Sequence, residues 1–460
     1  MSTVAPLIPT DPATGAALDP VPRTPLDAIA GIVGRAREAQ RAWAEHSIDA
    51  RIAALDGVAA RLADAAVVDA LARSITAEMG KTLREATSEV RNVAARLTAF
   101  GERARQAVAD EVAREGAVEV TTRWRPLGVA AVIAPWNYPV ATPSNLIISA
   151  LLAGNAVVFK PSEQTPGTGA RLHRLFADAL PEGLIGLVQG AGAEGAALVA
   201  SDVQMIAFTG SIATGRSIMR GAADGFKRLV LELGGKDPMI VLPGADLDAA
   251  AAHASTLGLA NAGQACVSVE RVIVHRALVD GFLERVVANL AAVKVGDPLD
   301  PQTTMGPMAS RAQRDLVLRQ IADAKAKGAR VVVEGEARGP GFFLAPSVLT
   351  DLTRDMEIVQ DETFGPVVAV EVCDDAEQAL AWANESRYGL GASVWGAPGP
   401  QLDALAGRLE VGMIGVNRGL SAAAGGPWVG WKSSGFGYSR SVAGMRQFMQ
   451  PQSISRTSPA

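Results

Sequence analysis

The 460-residue sequence contains few of the residues on which disulfide-stabilised, metal-binding and membrane-spanning proteins depend. Its two cysteines, Cys266 and Cys373, are too few for a disulfide framework and are typical of a reducing compartment. The four histidines lie in no H-E-x-x-H motif, and no paired Cys spacing indicates a metal site. The most apolar segment, residues 146–159, is interrupted by polar residues and falls short of the roughly 18 residues needed to cross a bilayer.

Neither sign of charge predominates in the sequence. The 43 Lys and Arg residues oppose 48 Asp and Glu residues, which gives a formal net charge of −5, and no long run carries one sign. We therefore expect neither nucleic acid nor an anionic membrane as a partner. The N-terminal residues have no basic region followed by an apolar stretch, so no secretory signal is predicted and a cytoplasmic location is expected.

The sequence does contain clear hydrophobic periodicity, and 48% of its residues are apolar, as in globular domains. Residues 27–115 have a helical pattern in which Gly80 is a predicted helix stop. Residues 118–124 alternate between apolar and polar side chains, which predicts a strand, either alone or as half of a projecting hairpin. The polar residues 451–460 predict weak structure, with a strand completed by a partner subunit as the alternative.

After Pro126, strands of the buried type alternate with helical segments. The strand segments are GVAAVI, NAVVFK, GLIGLVQ, QMIAFT and RLVLEL, and a second series begins at Asp237 with PMIVL and VERVIVH. Strands that are apolar on both faces and alternate with helices indicate parallel sheets. The sequence therefore predicts an α/β fold of two doubly wound units with a cleft between them.

Cys266 is the candidate nucleophile. It follows a glycine-containing turn after a predicted helix and precedes a predicted strand, so we expect its sulfur to face the cleft. A thiolate is a strong nucleophile and a competent leaving group, which suits a covalent intermediate. Cys373 lies in the apolar run PVVAVEVC and is interpreted as a core residue.

Two polar residues at the ends of apolar strands are candidates for the same chemistry. Glu232 ends RLVLEL, and a carboxylate is costly to bury without a task, so we interpret it as a general base; a buried ion pair with Lys236 is the alternative. Asn137 lies between two prolines in APWNYP and is a candidate to present its amide to an oxyanion; satisfying the local backbone is the alternative.

Three loops are candidates for binding a dinucleotide. Lys160 and Glu163 follow a strand at its carboxyl end, where open α/β sheets bind ligands, and the Glu163 carboxylate favours NAD over NADP because it repels a 2′-phosphate. Ser211, in FTGS, opens a helix, either as a phosphate-binding residue or as an ordinary N-cap. Residues 190–195 match G-x-G-x-x-G, but no acidic residue follows about 20 positions later, so a tight turn is the favoured interpretation.

In this order, the motifs resemble those of the aldehyde dehydrogenase superfamily. The chain carries PWNYP, KPSE, FTGS, ELGGK, GQAC, ETFGPV and PWVGWKSSGFG, so the resemblance covers nearly the whole chain. It implies that Cys266 is the nucleophile, Glu232 the general base and Asn137 a residue that stabilises the oxyanion. It also implies that the cofactor is contacted by Trp136, Lys160, Glu163, Gly210, Ser211, Gly215, Glu362 and Phe364.

The resemblance implies how the chain is divided. Residues 1–114 and 126–231 are expected to form a Rossmann-like dinucleotide-binding domain, and residues 232–417 a second, catalytic one. Residues 115–125 and 430–460 are expected to form a small β hairpin and tail through which a homodimer or homotetramer assembles.

The implied reaction is oxidation of an aldehyde to its carboxylic acid with NAD, or with NADP as the alternative. The Cys266 thiolate attacks the aldehyde carbon while the Asn137 amide and the Cys266 backbone N–H hold the oxyanion. Hydride transfer to the nicotinamide leaves a thioester, and Glu232 activates the water that hydrolyses it. The presence of Glu232 argues against the coenzyme A-acylating relatives.

The resemblance places the substrate pocket around a further set of residues. They are Tyr138, Ala141, Asn145, Ala265, Val267 and the loop of residues 418–424. Asn145 and Arg418 are candidates to bind a polar or carboxylate-bearing tail, as in a semialdehyde; the alternative is that both face solvent. The chain departs from the family at residues 212–214 and 438–440, where an Arg-Glu pair is common in the second segment, and we expect these changes to alter cofactor or subunit contacts and not the reaction.

Two other classes of function are compatible with parts of the sequence. A cofactor-independent cysteine esterase or thioesterase needs a histidine to activate its thiol, and His46, His173, His253 and His275 have no obvious partner. A catalytically silent dinucleotide-binding protein is the second alternative, and the intact pair of Cys266 and Glu232 argues against it.

Overall fold

Helices and strands alternate along nearly the whole chain in the computed structural model, which describes residues 5–420 and 425–457. The helices α1 to α15 are Ile29–Ala44, Ile48–Ala63, Ala65–Met79, Leu83–Val108, Ala141–Leu152, Pro166–Ala177, Gly192–Ala200, Ile212–Ala223, Leu247–Leu259, Val279–Leu290, Arg311–Ala326, Glu357–Gln360, Ala376–Asn384, Pro400–Ala406 and Val442–Arg446. The strands β1 to β22 are Glu111–Glu115, Val118–Pro126, Val129–Ile133, Ala156–Lys160, Ile185–Leu187, Met205–Thr209, Arg228–Glu232, Pro238–Val241, Arg271–His275, Arg330–Val333, Ala337–Arg338, Phe343–Leu344, Ser347–Thr350, Val367–Cys373, Tyr388–Gly389, Gly391–Trp395, Met413–Val416, Trp428–Val429, Trp431–Lys432, Gly435–Phe436, Tyr438–Ser439 and Met449–Thr457. Within these ranges, no helix combines the length and the apolar character that a membrane span requires.

The first sheet is a doubly wound parallel sheet, as the apolar strand runs predict. Its order is β20-β7-β6-β3-β4-β5, and all pairs are parallel except β20 with β7. The chain runs from β3 through β4 and β5 on one side and then returns to β6 and β7 on the other. Strand order therefore reverses at β3, and the crevice at the carboxyl ends beside such a reversal is where these sheets bind ligands.

The second sheet has the order β10-β13-β14-β9-β8-β16-β17 and is parallel except for β10 with β13. Residues 233–237 join β7 of the first sheet directly to β8 of the second. This short connection contains the two glycines of ELGGK, so the carboxyl end of β7 lies at the boundary between the sheets.

A third, antiparallel sheet joins β1, β2 and β22 and corrects two predictions. The helical pattern does not continue to Glu115: α4 ends at Val108 and residues 111–115 form β1, which pairs with β2 across a turn at Gly116. Residues 451–457 are not weakly structured, because β22 pairs with β2 of the same chain over nine residues, and residues 458–460 lie outside the described ranges. Both segments are largely exposed, so backbone pairing and not an apolar pattern holds them in place.

Candidate active site

Cys266 lines a cavity of about 220 Å³ where the two parallel sheets meet. The cavity is also lined by Asn137, Trp136, Tyr138, Gly210, Ser211, Glu362 and Phe364, so it brings together eight of the residues named from the sequence. Cys266 is only partly buried, whereas Cys373 is fully buried in β14, as expected for a core residue. Among the described residues that line this cavity there is no histidine, so it lacks the base that a cysteine hydrolase requires.

The backbone before Cys266 is held in an unusual turn. Asn261 and Ala262 have left-handed conformations, with φ of 54° and 55°, and Gly263 follows at φ of 74°. A Cβ at Gly263 would lie 2.1 Å from the carbonyl oxygen of Gly365, so only glycine fits. The Gln264 side chain fixes the turn, because its Nε2 donates to Asn261 O (2.9 Å) and its Oε1 accepts from Ala309 N (2.9 Å).

Asn137 points its amide at this same turn. Its Nδ2 donates to the backbone carbonyl of Gln264 at 3.0 Å, which uses one of its two N–H groups and leaves the other for a ligand. The backbone carbonyl oxygen of Asn137 accepts from Lys81 Nζ (2.9 Å) and from Asn261 Nδ2 (3.1 Å). Backbone and side chain of Asn137 are therefore both tied to the segment that carries Cys266.

A buried ion pair that the sequence analysis did not identify supports this loop. Lys81 Nζ lies 2.5 Å from Glu89 Oε2, and both side chains are 1% exposed. Glu89 Oε1 accepts from the backbone N–H groups of Val140 and Ala141, each at 2.9 Å. Lys81 also lies over the ring of Tyr138, 3.6 Å from its centroid. Lys81 and Asn137 are 56 positions apart in the chain, which explains why sequence spacing gave no signal.

Glu232 ends β7 beside the cavity and does not pair with Lys236. Lys236 Nζ instead lies 2.7 Å from Glu270, which excludes the ion pair weighed as the alternative. The partner of Glu232 is Ser439, whose Oγ donates to Oε1 at 2.6 Å. This contact arises because β20 adds to the edge of β7 in the register Gly435 to Glu232, with Gly435 so close to Leu231 O that a Cβ would meet it at 1.9 Å.

The protonation of these groups follows from burial. Burial raises the pKa of Glu232, and the charge of Arg440 and the hydrogen bond from Ser439 act in the opposite direction. Burial, together with the carboxylates of Glu232 and Asp237, raises the pKa of the Cys266 thiol to about 12, which Arg440 partly offsets. At neutral pH the thiol of the free protein is therefore protonated.

A second cavity, of about 880 Å³, adjoins the first and extends along the carboxyl ends of β3, β4 and β6. Lys160, Glu163 and Ser211 line it, and Trp136 and Gly210 line both cavities. Lys160 is almost fully buried and donates to Pro161 O at 3.1 Å, whereas Glu163 is exposed. Ser211 is the N-cap of α8 and accepts from Thr214 N at 3.2 Å, as the alternative interpretation proposed.

The size and polar groups of this second cavity fit a dinucleotide. Gln164 Oε1 is buried and has no hydrogen-bond partner among the described residues, although Gln164 lines the cavity. Ala191 and Gly192, at the start of α7, form part of its wall, so the glycine-rich turn of residues 190–195 reaches the site. Gly215 lies outside the lining and packs α8 against Leu233.

Glu362 and Phe364 close the cavity that contains Cys266 on the side of the second sheet. Glu362 Oε1 accepts from Gly235 N at 2.8 Å, and burial and the charge of Glu270 raise its pKa to about 8. Phe364 packs edge-on against Trp136, with ring centroids 5.5 Å apart at 85°. Both residues therefore contact the segments that carry the proposed base and the oxyanion-binding loop.

Residues 5–454 match the model of the aldehyde dehydrogenase family. The chain belongs to the aldehyde dehydrogenase family. Succinate-semialdehyde dehydrogenase [NADP(+)] of Deinococcus radiodurans is 38% identical over 442 residues, which are 95% of this chain and 92% of the relative. The match confirms the resemblance, and this aldehyde dehydrogenase is an enzyme that oxidises aldehydes with NAD or NADP.

Solved structures agree with this assignment. Succinate-semialdehyde dehydrogenase from Burkholderia pseudomallei has a TM-score of 0.95 and 33% identity, covering 98% of this chain and 95% of that chain. Lactaldehyde dehydrogenase from Escherichia coli has a TM-score of 0.94 and 31% identity, covering 100% and 97%. The predicted α/β fold with Rossmann-like sheets is confirmed.

The residues expected to form the substrate pocket of this aldehyde dehydrogenase differ in burial and in their distance along the fold from the cavity that contains Cys266. Tyr138 lines the cavity beside Cys266, Asn145 is buried in α5, Val267 is partly buried, and Arg418 is exposed just after β17. Of the loop at residues 418–424, residues 421–424 lie outside the described ranges. The cavity wall also includes residues that the sequence did not single out, which are Thr142, Gln313 and Leu316.

Proposed function

We propose that this aldehyde dehydrogenase works through a covalent thioester on Cys266. The observation that carries the proposal is that Cys266 and Asn137 line one cavity, and that this cavity shares Trp136 and Ser211 with a cleft of dinucleotide size. A nucleophile, an oxyanion donor and a hydride acceptor then meet within one continuous space. This is the geometry that oxidation of an aldehyde requires.

In the first step the Cys266 sulfur bonds to the aldehyde carbon as the S–H proton leaves. Because the thiol pKa is raised to about 12, the thiolate forms only as the S–H proton passes to solvent water. Glu232 is reserved for the second step. The free N–H of the Asn137 amide and the backbone N–H of Cys266 hold the oxyanion that forms. When bound in the adjoining cleft, the nicotinamide supplies the hydride acceptor that turns the thiohemiacetal into a thioester.

In the second step Glu232 takes a proton from water, the water oxygen attacks the thioester carbon, and the Cys266 thiolate leaves. The hydrogen bond from Ser439 supports this role because it orients the carboxylate and favours its charged form. The products are the carboxylic acid and the reduced cofactor.

The cofactor is held by the loops that line the larger cavity. Lys160 and Glu163 bind the adenosine ribose, while Gly210 and Ser211 at the start of α8 bind the pyrophosphate, with Gly215 allowing close packing behind them. Glu362 and Phe364, with Trp136, position the nicotinamide. The exposed Glu163 carboxylate favours NAD, whereas the name of the Deinococcus relative specifies NADP(+), so the ratio of activities with the two cofactors measures the effect of Glu163.

The substrate class that we propose is a semialdehyde. The names of the Deinococcus and Burkholderia relatives support it. We assign to its pocket Tyr138, which lines the cavity beside Cys266, together with Asn145, Val267 and Arg418. The Escherichia coli structure is named for lactaldehyde, which carries no carboxylate, so the two aldehydes are a direct comparison.

Assembly and location complete the proposal. Val112 and Val118 are apolar and exposed on the three-stranded sheet, which supports a homodimer or homotetramer built through β1, β2 and β22, as light scattering can measure. The two cysteines, neither in a disulfide, support a reducing, cytoplasmic environment.

The experiment that tests the function measures reduced nicotinamide with succinate semialdehyde, lactaldehyde, butyraldehyde and benzaldehyde, each with NAD and with NADP. We expect turnover with succinate semialdehyde, and we expect Cys266→Ala to abolish it while cofactor binding, followed by calorimetry, is retained. Cys373→Ala is the matched control and should keep full turnover. Undiminished activity in Cys266→Ala would refute the covalent mechanism.

A further inference from the structure

Two arginines, Arg96 on α4 and Arg440 in the C-terminal segment, lie close to each other, and Arg440 acts on the catalytic groups. Arg440 follows β21, and its charge lowers the pKa of both Glu232 and Cys266. Arg96 lies on α4 and is close enough to Arg440 to lower its pKa. The helix also contacts the tail directly, because Arg103 donates to the backbone carbonyl of Arg440 at 2.8 Å.

Neither guanidinium forms a direct ion pair within the described ranges, residues 5–420 and 425–457. Arg440 Nε is buried there without a hydrogen-bond partner, and no carboxylate of the described residues forms an ion pair with Arg96 or Arg440. The remaining residues, 1–4, 421–424 and 458–460, include no Asp or Glu. Glu232 acts on Arg440, and Glu89 on Arg96, through charge alone, so neither guanidinium has a carboxylate in direct contact within the described ranges.

The position of Arg440 is energetically unfavourable for the protein by itself. Its guanidinium lies over the ring of Trp428, 4.0 Å from the centroid, and its backbone is left-handed with φ of 68°, a conformation that non-glycine residues adopt rarely. Burial of the charge adds to this cost and lowers the pKa of Arg440 to about 10. Strain and a buried charge without a direct ion pair at one residue are typical of a site that a ligand completes.

The ligand that fits is a carboxylate. A guanidinium presents parallel N–H groups that match the two oxygens of a carboxylate, and the match is strongest where water is excluded. An anion that reaches Arg440 lies next to Glu232 and within the electrostatic range of the Cys266 sulfur. A molecule that carries an aldehyde at one end and a carboxylate at the other can occupy both places at once.

We propose that Arg96 and Arg440 form the carboxylate-binding part of the substrate site, so that the enzyme selects short oxo acids whose aldehyde end reaches Cys266. The proposal rests on the proposed function of Cys266 and adds the residues that choose the substrate. It places the recognition of the anionic tail between α4 and the segment after β21, and not on the exposed Arg418.

The test compares two four-carbon aldehydes, succinate semialdehyde and butyraldehyde, which differ in the carboxylate. For Arg440→Met and for Arg96→Met we expect kcat/KM for succinate semialdehyde to fall at least tenfold more than kcat/KM for butyraldehyde, and mainly through KM. The Arg440 charge acts on Glu232 and Cys266 with either substrate, so the ratio of the two kcat/KM values reports the carboxylate contact. Arg440→Lys should recover part of the loss. Arg91→Met, at an exposed position of the same helix, is the matched control and should change neither value.

A second measurement does not depend on turnover. Succinate, which has the carboxylates but no aldehyde, should bind the wild-type protein in calorimetry and bind each arginine variant at least tenfold more weakly. If kcat/KM fell equally for both aldehydes, the proposal would be overturned, because Arg440 would then act on Glu232 or Cys266 and not on the substrate. Unchanged kcat/KM values for both aldehydes would overturn it as well. Failure of the wild type to oxidise any aldehyde would instead refute the proposed function.

Discussion

At the scale of single residues, the proposed base is held by one hydrogen bond between residues that are far apart in the chain. Ser439 and Glu232 are 207 positions apart and lie 2.6 Å from each other. The departure from the family at residues 438–440 was expected to affect cofactor or subunit contacts, whereas the structure brings this segment against the proposed base. Ser439 thus belongs to the environment that sets the charge of Glu232.

Replacing Glu232 by Gln should separate the two halves of the reaction. The thioester still forms because the sulfur and the oxyanion donors are intact, but water is no longer activated, so steady-state turnover should fall by about 10²-fold or more. A stopped-flow experiment should then show a burst of reduced nicotinamide close to one equivalent per site, followed by a stall.

The companion variant Ser439→Ala tests the environment of the same carboxylate. Its hydrogen bond lowers the pKa of Glu232, so its removal should raise that pKa. Because the base must be ionised, the rising limb of the pH profile for hydrolysis should move to higher pH. Glu232→Gln with unchanged steady-state turnover, or a Ser439→Ala profile moved to lower pH, would contradict these roles.

At the scale of elements, the Pro-rich loop that carries Asn137 is rigid because α4 supports it. The buried pair of Lys81 and Glu89 satisfies two backbone N–H groups and one carbonyl of that loop. Breaking a buried pair by removing one partner is strongly destabilising, because it leaves the other charge unpaired.

We therefore expect Glu89→Gln to lower the free energy of unfolding by about 3–5 kcal/mol and to lower kcat as well, since Asn137 loses its support. Urea denaturation and steady-state kinetics measure the two effects. Asp69→Asn, which breaks the exposed pair with Arg73, is the control and should cost less than about 1 kcal/mol. A Glu89→Gln protein as stable as Asp69→Asn would show that the pair does not hold the loop.

At the scale of the whole molecule, placing the site between two sheets buries several carboxyl groups together. Burial raises the pKa of Glu362 to about 8, and it also raises the pKa values of Glu232 and Asp237. A carboxyl group with a raised pKa in the folded state contributes stability below its unfolded pKa, which is about 4–4.5, and this contribution is lost as the pH rises through the folded value. The folded protein should therefore lose stability between about pH 5 and pH 9.

Glu362→Gln isolates one contribution to this trend, since the amide resembles the protonated carboxyl group in shape and charge. The decrease in the free energy of unfolding between pH 6 and pH 9 should be smaller in the variant than in the wild type, as equilibrium urea titrations at each pH would show. Equal decreases in the two proteins would mean that Glu362 is ionised in the folded state at neutral pH.

The sequence by itself determined the parallel strands, the family and the candidates Cys266, Glu232 and Asn137. Local periodicity indicates the strands and helices, and short motifs indicate the functional residues at their ends. It did not determine β1, β22 or the partners of the site, such as Glu89, Ser439 and Arg440. Strands β1 and β22 are largely exposed and held by backbone pairing, which leaves no apolar pattern in the sequence. Ion pairs and hydrogen bonds between residues far apart in the chain exist only after the two sheets pack, so the tertiary structure alone decided them.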